Sequence, residues 1–141
     1  MKKCPKCGED KELDSFSQDR REMDGKTYVC RDCRNFIQRK FNQTPKGKYL
    51  SYKKASRERG FIFTITLEEF VSFWNKNCFY CGDKINGIGL DRVDNSIGYE
   101  IKNVVPCCEI CNTMKMTETY NSFINQCMKI VELHKNRDSS K

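Results

Sequence analysis

Eight of the ten cysteines in this chain of 141 residues stand as CxxC pairs: Cys4 with Cys7, Cys30 with Cys33, Cys78 with Cys81, and Cys108 with Cys111. Two thiolates three residues apart can grip one tetrahedral ion, and two such knuckles close its shell. The spacers within the two sets are 22 residues (8–29) and 26 residues (82–107). Local pairing costs less loop entropy than a swapped pairing of the four knuckles. The expectation is two structural zinc ions, each in a closed Cys4 shell with no open position for chemistry. Buried free thiols or disulfides are the plainer reading, which suits secreted chains better. Cys107 and Cys127 are left over. Cys107 does not stand two residues away from Cys111, as Cys108 does, and Cys127 lies on an apolar helical face as a small core residue.

A second, harder donor set lies in LDRVDNSIGYEIKNVVPCCEICNTMK, residues 90–115. Asp91 offers a carboxylate near the end of a strand expected over 89–93, and Asn112 an amide on a helix expected over 108–115. A divalent ion held by only these two groups keeps most of its sites for water and phosphate. Magnesium or manganese suits such oxygen ligands and can polarise a phosphoryl oxygen. Plainer readings exist for each part. Asp91 and Arg92 could form a surface ion pair, Asp94 could cap a turn at 95–98, and Asn112 could cap its helix.

The segment 78–115 resembles the HNH (ββα-metal, His-Me finger) endonucleases, and the finger and basic stretch ahead of it are similar to their phage-borne members. The resemblance implies DNA as partner, phosphodiester hydrolysis as activity, and one catalytic Mg or Mn beside the two zincs. It sets Asp91 at the acidic ligand position, Asn103 at the position that pins the loop, and Asn112 at the helix ligand position. Lys115, one turn further, matches a lysine common in the family and is counted among the nucleic-acid-binding residues. One position departs from the pattern: where the family carries a histidine base, this chain has Arg92. A guanidinium does not deprotonate in proteins, but it can hold a phosphate oxygen and neutralise developing charge. Asp94, two residues on and on the same face of a continuing strand, is the better candidate base, and Tyr99 a weaker one. The sole histidine, His134, reads as a helix-end residue.

The elements that must position these groups follow from pattern. A short strand is expected over 61–65. Thr66 and Glu69 form a capping box for a helix burying Leu67, Phe70, Val71 and Trp74, whose spacing is amphipathic. A second strand is expected over 103–105, ended by Pro106. A final helix over 119–135 shows Tyr120, Phe123, Ile124, Cys127, Ile130 and Val131 on one face. The fold class is α+β, small and zinc-stapled: a treble-clef-like finger over 1–38, a basic helical linker over 39–65 broken at 45–47, an HNH ββα-metal domain with a C-terminal helix over 66–135, and a disordered tail over 136–141. Only 38% of residues are hydrophobic, so metal staples substitute for core.

Formal net charge is +7, and an anionic partner is the simplest reading. Arg39, Lys40, Lys46, Lys48, Lys53, Lys54, Arg57 and Arg59 concentrate that charge against one acid, Glu58, as a phosphate-binding stretch or a solvated helical face. No apolar run is long enough to span a membrane and no charged-then-apolar leader is present, so a cytoplasmic protein is expected; the resemblance to phage-borne members implies a phage-infected bacterial host. A non-catalytic zinc module that binds nucleic acid is the alternative function, with Arg92 its best support. An adaptor built on paired zinc fingers is a third.

Overall fold

The computed structural model of the chain describes residues 1–138 and divides into two units, one ending at Gly47 and the other beginning at Lys48. In the first unit β1 (Lys2–Lys3) pairs antiparallel with β2 (Asp10–Lys11). A loop leads to α1 (Arg31–Asn42). The buried cluster here is small: Cys4, Phe16 and Cys30, with Val29 and Cys33 against them. So small a core is one that a metal staple would reinforce.

The break in the basic stretch lies at 43–44 rather than at 45–47. Helix α2 (Pro45–Glu58) begins at the proline, where the missing N–H would have had no helical partner anyway. Thr44 Oγ1 accepts from the Gly47 amide at 3.1 Å. Gly47 is inside the helix because a Cβ there would stand 2.0 Å from the Phe41 carbonyl oxygen.

The remainder of α2 belongs to the second unit and is no linker. Tyr49 and Tyr52 meet Phe70 edge-on at 5.5 and 5.3 Å, and Tyr52 also meets Tyr99. These rings cover a core of Ile65, Phe70, Leu90, Tyr99 and Val104. Helix α3 (Leu67–Ser72) opens with the expected capping box of Thr66 and Glu69. It is only six residues long; Phe70 is its buried residue while Val71 stays exposed. Residues 61–65 make a single parallel bridge, Phe63 with Tyr99, rather than a strand.

The second sheet pairs β3 (Leu90–Arg92) with β4 (Val104–Pro106), Asp91 opposite Val105. Helix α4 (Glu109–Lys115) follows, capped by the Cys108 sulfur, and α5 (Tyr120–Asp138) packs on it. The unit is thus an antiparallel ββα element with helices around it. Helix α5 continues through residues 136–138, where the composition of the chain end suggests a disordered tail; residues 139–141 lie outside the described residues. Of the apolar face expected on α5, Phe123 is buried, whereas Ile130 and Val131 are exposed.

Candidate functional site

Both cysteine sets converge as the spacing implies. The sulfurs of Cys4, Cys7, Cys30 and Cys33 lie within 4.8 Å of one another, as do those of Cys78, Cys81, Cys108 and Cys111. A tetrahedral zinc with Zn–S bonds of about 2.3 Å requires S–S separations of about 3.8 Å, and Cys81 and Cys108 stand 3.8 Å apart. The donor sets fit structural zinc. In each set one knuckle is a turn and the other starts a helix, with Cys30 and Cys108 at the N-caps of α1 and α4. The Cys4 thiol is drawn down to about 6, chiefly by the Cys30 backbone N–H. Burial raises Cys78, but backbone N–H groups of Cys108, Cys81 and Tyr80 outweigh it and bring it to about 6. Burial and neighbouring sulfurs push Cys33 up to about 12 and raise Cys111. Four clustered thiolates repel, and a divalent cation removes that conflict. Cys107 is buried beside the second cluster without joining it, and Cys127 is half-buried.

Asp91 is buried, and both carboxylate oxygens are occupied. Lys115 Nζ stands 3.2 and 3.4 Å from them, and the Tyr80 hydroxyl donates to Oδ2 at 2.6 Å. Lys115 also donates to the Arg92 carbonyl at 3.2 Å. Lys115 is 0% exposed, which corrects its reading as a nucleic-acid contact: it clamps α4 to β3 and has no face for a phosphate. Tyr80 is a site residue that sequence reasoning misses. It lies inside the CFYC knuckle, packs edge-on against Phe123, and burial together with its bond to Asp91 raises its pKa. The one signal for it in the sequence is an aromatic residue next to a zinc cysteine.

Arg92 points to the opposite face of the strand. Its guanidinium stacks 3.7 Å from the Phe61 ring centre and donates to the carbonyls of Asn95 and Ile97 at 2.9 Å each. Asn103 is buried. Its amide oxygen accepts from the Asp94 N–H, and its amide nitrogen donates to the carbonyls of Asp94 and Gly98. One side chain therefore ties both ends of the 94–98 turn. The Asp94 carboxylate accepts from the Ser96 hydroxyl at 2.6 Å and the Ser96 N–H at 2.8 Å. Those two bonds hold its pKa below the usual carboxylate value. Tyr99 is buried, with Arg59 donating to its hydroxyl at 2.9 Å. Asn112 is exposed and lines a cleft of about 400 Å³ with Tyr52, Gly89, Leu90, Cys108 and Glu109. Asp91 does not line that cleft, although Asn112 precedes Lys115 by one helical turn.

Arg39, Lys40, Lys46, Lys48, Lys53, Lys54, Arg57 and Arg59 are all exposed. Some are engaged: Lys40 sits 4.7 Å from the Phe36 ring centre, Lys54 pairs with Glu58 at 3.7 Å, and Arg59 holds Tyr99. His134 is exposed on α5. Among the described residues no helix is long and apolar enough to cross a membrane.

No family model matches the chain. An uncharacterised protein of Acanthamoeba polyphaga mimivirus is 38% identical over 98 residues, 68% of this chain. The match spans only 18% of that longer protein. Among solved structures the chain is similar to the rare-cutting HNH restriction endonuclease PacI, described as perturbing DNA, at 19% identity and a TM-score of 0.50. That alignment covers 98% of this chain and 99% of the other. At this identity the likeness is one of fold alone: a small α+β chain, here with two Cys4 clusters.

Proposed function

We propose that the chain is a metal-dependent DNA endonuclease with an HNH-type site. The observation that carries the reading is Asp91, a buried carboxylate on the first strand of a zinc-stapled ββα unit, tied to the helix bearing Asn112. Asp91 and Asn112 would hold the divalent ion, magnesium or manganese, which when bound supplies charge stabilisation at the scissile phosphate. The carboxylate oxygens have four lone-pair sites between them, so the Tyr80 bond can persist beside the ion while the Lys115 ammonium shifts. Asn103 fixes the turn and with it the end of β3. Arg92 takes no proton; its donors not used by the 95 and 97 carbonyls are available to a phosphate oxygen. Asp94 is the carboxylate that would accept a proton from water, although Ser96 weakens it as a base. The exposed lysines and arginines of α1 and α2 supply sequence-independent phosphate contacts.

A specific observation favours a second reading, a non-catalytic nucleic-acid-binding module: Asp91 is neutralised by Lys115, and Arg92 is committed to a ring and two carbonyls. Cleavage decides between them. Purified protein is incubated with supercoiled, linear and branched DNA, with magnesium or manganese and with chelator. Metal-dependent cutting by the parent, abolished in Asp91→Ala and Asn112→Ala with both zincs retained, supports the nuclease. Binding without cutting of any DNA form supports the module.

A further inference from the structure

A cleft of about 560 Å³ opens on the second unit, lined on one side by Lys53, Lys54 and Arg57 of α2 and on the other by Phe61, Ile62 and Phe63. Its size falls in the range of small-molecule sites. Two of its apolar residues are strongly exposed, Ile62 at 68% and Leu50 at 45%. Ile62 is not on a loose loop. The Tyr99 N–H donates to its carbonyl at 2.8 Å, and Gly98 approaches so closely that a Cβ would stand 2.2 Å from the same oxygen. Phe61 is anchored through its N–H to the Ser56 carbonyl at 2.9 Å and through its carbonyl to the Ser56 hydroxyl at 2.8 Å. A rigid backbone therefore holds a large apolar side chain in water beside three cations. Phe61, which lines the cleft, also carries the Arg92 guanidinium.

We propose that this cleft takes a single unpaired nucleotide of a nucleic-acid strand, its base against Ile62, Leu50 and the Phe61 and Phe63 rings and its phosphate on Lys53, Lys54 and Arg57. Two chemistries coincide here that a nucleotide combines at this scale: an apolar face for a base and cationic donors for a phosphate. An acidic peptide is the poorer fit. The Gly60 N–H, Phe61 N–H and the carbonyls of Phe61 and Ile62 already have partners inside the protein, which leaves little of an edge for an extended chain. An apolar side chain projecting beside phosphate-binding cations also suits a wedge between base steps. The inference rests on the nucleic-acid reading of the basic stretch and goes beyond it.

The test uses the whole 141-residue chain, zinc-loaded, in chelator of low zinc affinity, so that nothing is cut. Affinities are measured by fluorescence anisotropy for three probes of about two helical turns and one sequence: fully paired, carrying one bulged thymidine, and carrying a bulged abasic site. The bulged thymidine is expected to bind about tenfold tighter than the other two, the scale of one base–aromatic stack. Ile62→Ala is expected to reduce that ratio severalfold. A second variant, Leu50→Ser, does the same from the other wall, so misfolding of one variant does not decide the matter. Equal binding of all three probes by the parent overturns the cleft proposal and leaves the basic stretch as a phosphate binder. Binding of no probe overturns both.

Discussion

Replacing Lys115 by methionine removes a charge and keeps most of the stem. In the parent, Lys115 Nζ faces both Asp91 oxygens at 3.2 and 3.4 Å and the Arg92 carbonyl at 3.2 Å, with Lys115 and Asp91 0% and 4% exposed. In the variant the carboxylate stays buried with Tyr80 as its one remaining side-chain donor. Breaking a buried pair by removing one partner costs about 3–5 kcal/mol, because the other charge is left uncompensated. Against typical stabilities of about 5–15 kcal/mol, that shift is readily measured. Urea unfolding of zinc-saturated protein, followed by circular dichroism, reads it. Asp91→Asn alone should also be costly, since it strands the ammonium. The double variant, with both charges gone, should cost much less than the two singles added together. Divalent metal adds a second readout. If Asp91 is a ligand, manganese at about one hundred times its dissociation constant should return about 2.7 kcal/mol to Lys115→Met, and nothing to the double variant. A Lys115→Met cost below about 1 kcal/mol, the scale of an exposed pair, would refute the reasoning, because it would mean that water reaches the carboxylate.

Elemental analysis of folded, washed protein is expected to give two zincs per chain, and Cys108→Ser to release one of them together with the near-ultraviolet signal of the Tyr80 cluster; folded protein with no zinc would overturn this. Tyr80→Phe removes one hydrogen bond to a buried charge and should cost about 1.5–3 kcal/mol by the same urea assay, while an effect near zero would mean the hydroxyl is solvated. Neutralising Lys46, Lys48, Lys53 and Lys54 should weaken binding to all duplexes alike and flatten the salt dependence by about 0.9 log units for each phosphate no longer neutralised; an unchanged slope makes α2 only a solvated face. Asp94 has a depressed pKa, so its contribution to stability is present above the unfolded value of about 3.9 and disappears as pH falls through the lower folded value. The stability difference between parent and Ser96→Ala should therefore be constant near neutrality and shrink only below about pH 4.

The parts of this fold that are legible in the sequence are those set by short-range rules. CxxC spacing, the Thr66–Glu69 box and the strand end at Pro106 each depend on contacts within a few residues, and both Cys4 clusters and the β3–β4 pair emerge where those rules put them. What the sequence hides depends on packing at long range. The basic stretch reads as a linker because its charges dominate its composition, yet Tyr49 and Tyr52 are on the face that covers Phe70. Lys115 reads as a phosphate contact because it matches a lysine common in the resembled family; its burial becomes intelligible only once Asp91, 24 residues earlier, faces it across the helix–strand gap. The role of Tyr80 is hidden for the same reason, since its partner lies 11 residues on, across the zinc knuckle.

The zinc knuckle and the candidate catalytic carboxylate therefore form one mechanical unit. The sheet bearing Asp91 has two strands of three residues each, too little to be stable in isolation. Its position is fixed from three sides: by Tyr80 within the Cys78–Cys81 turn, by Lys115 on the helix that starts at Cys108, and by Asn103 at the far end of the hairpin. Two of these three supports hang directly on cysteines of the second Cys4 cluster. Removing that zinc would release the turn and the helix start together, and Asp91 would part from Tyr80 and Lys115 at once. Structural zinc contributes roughly 10–16 kcal/mol in finger peptides, more than either side-chain interaction alone. A zinc held by these four cysteines would thus govern whether the carboxylate is positioned at all, and any oxygen-ligand site at Asp91 would depend on the thiolate cluster behind it.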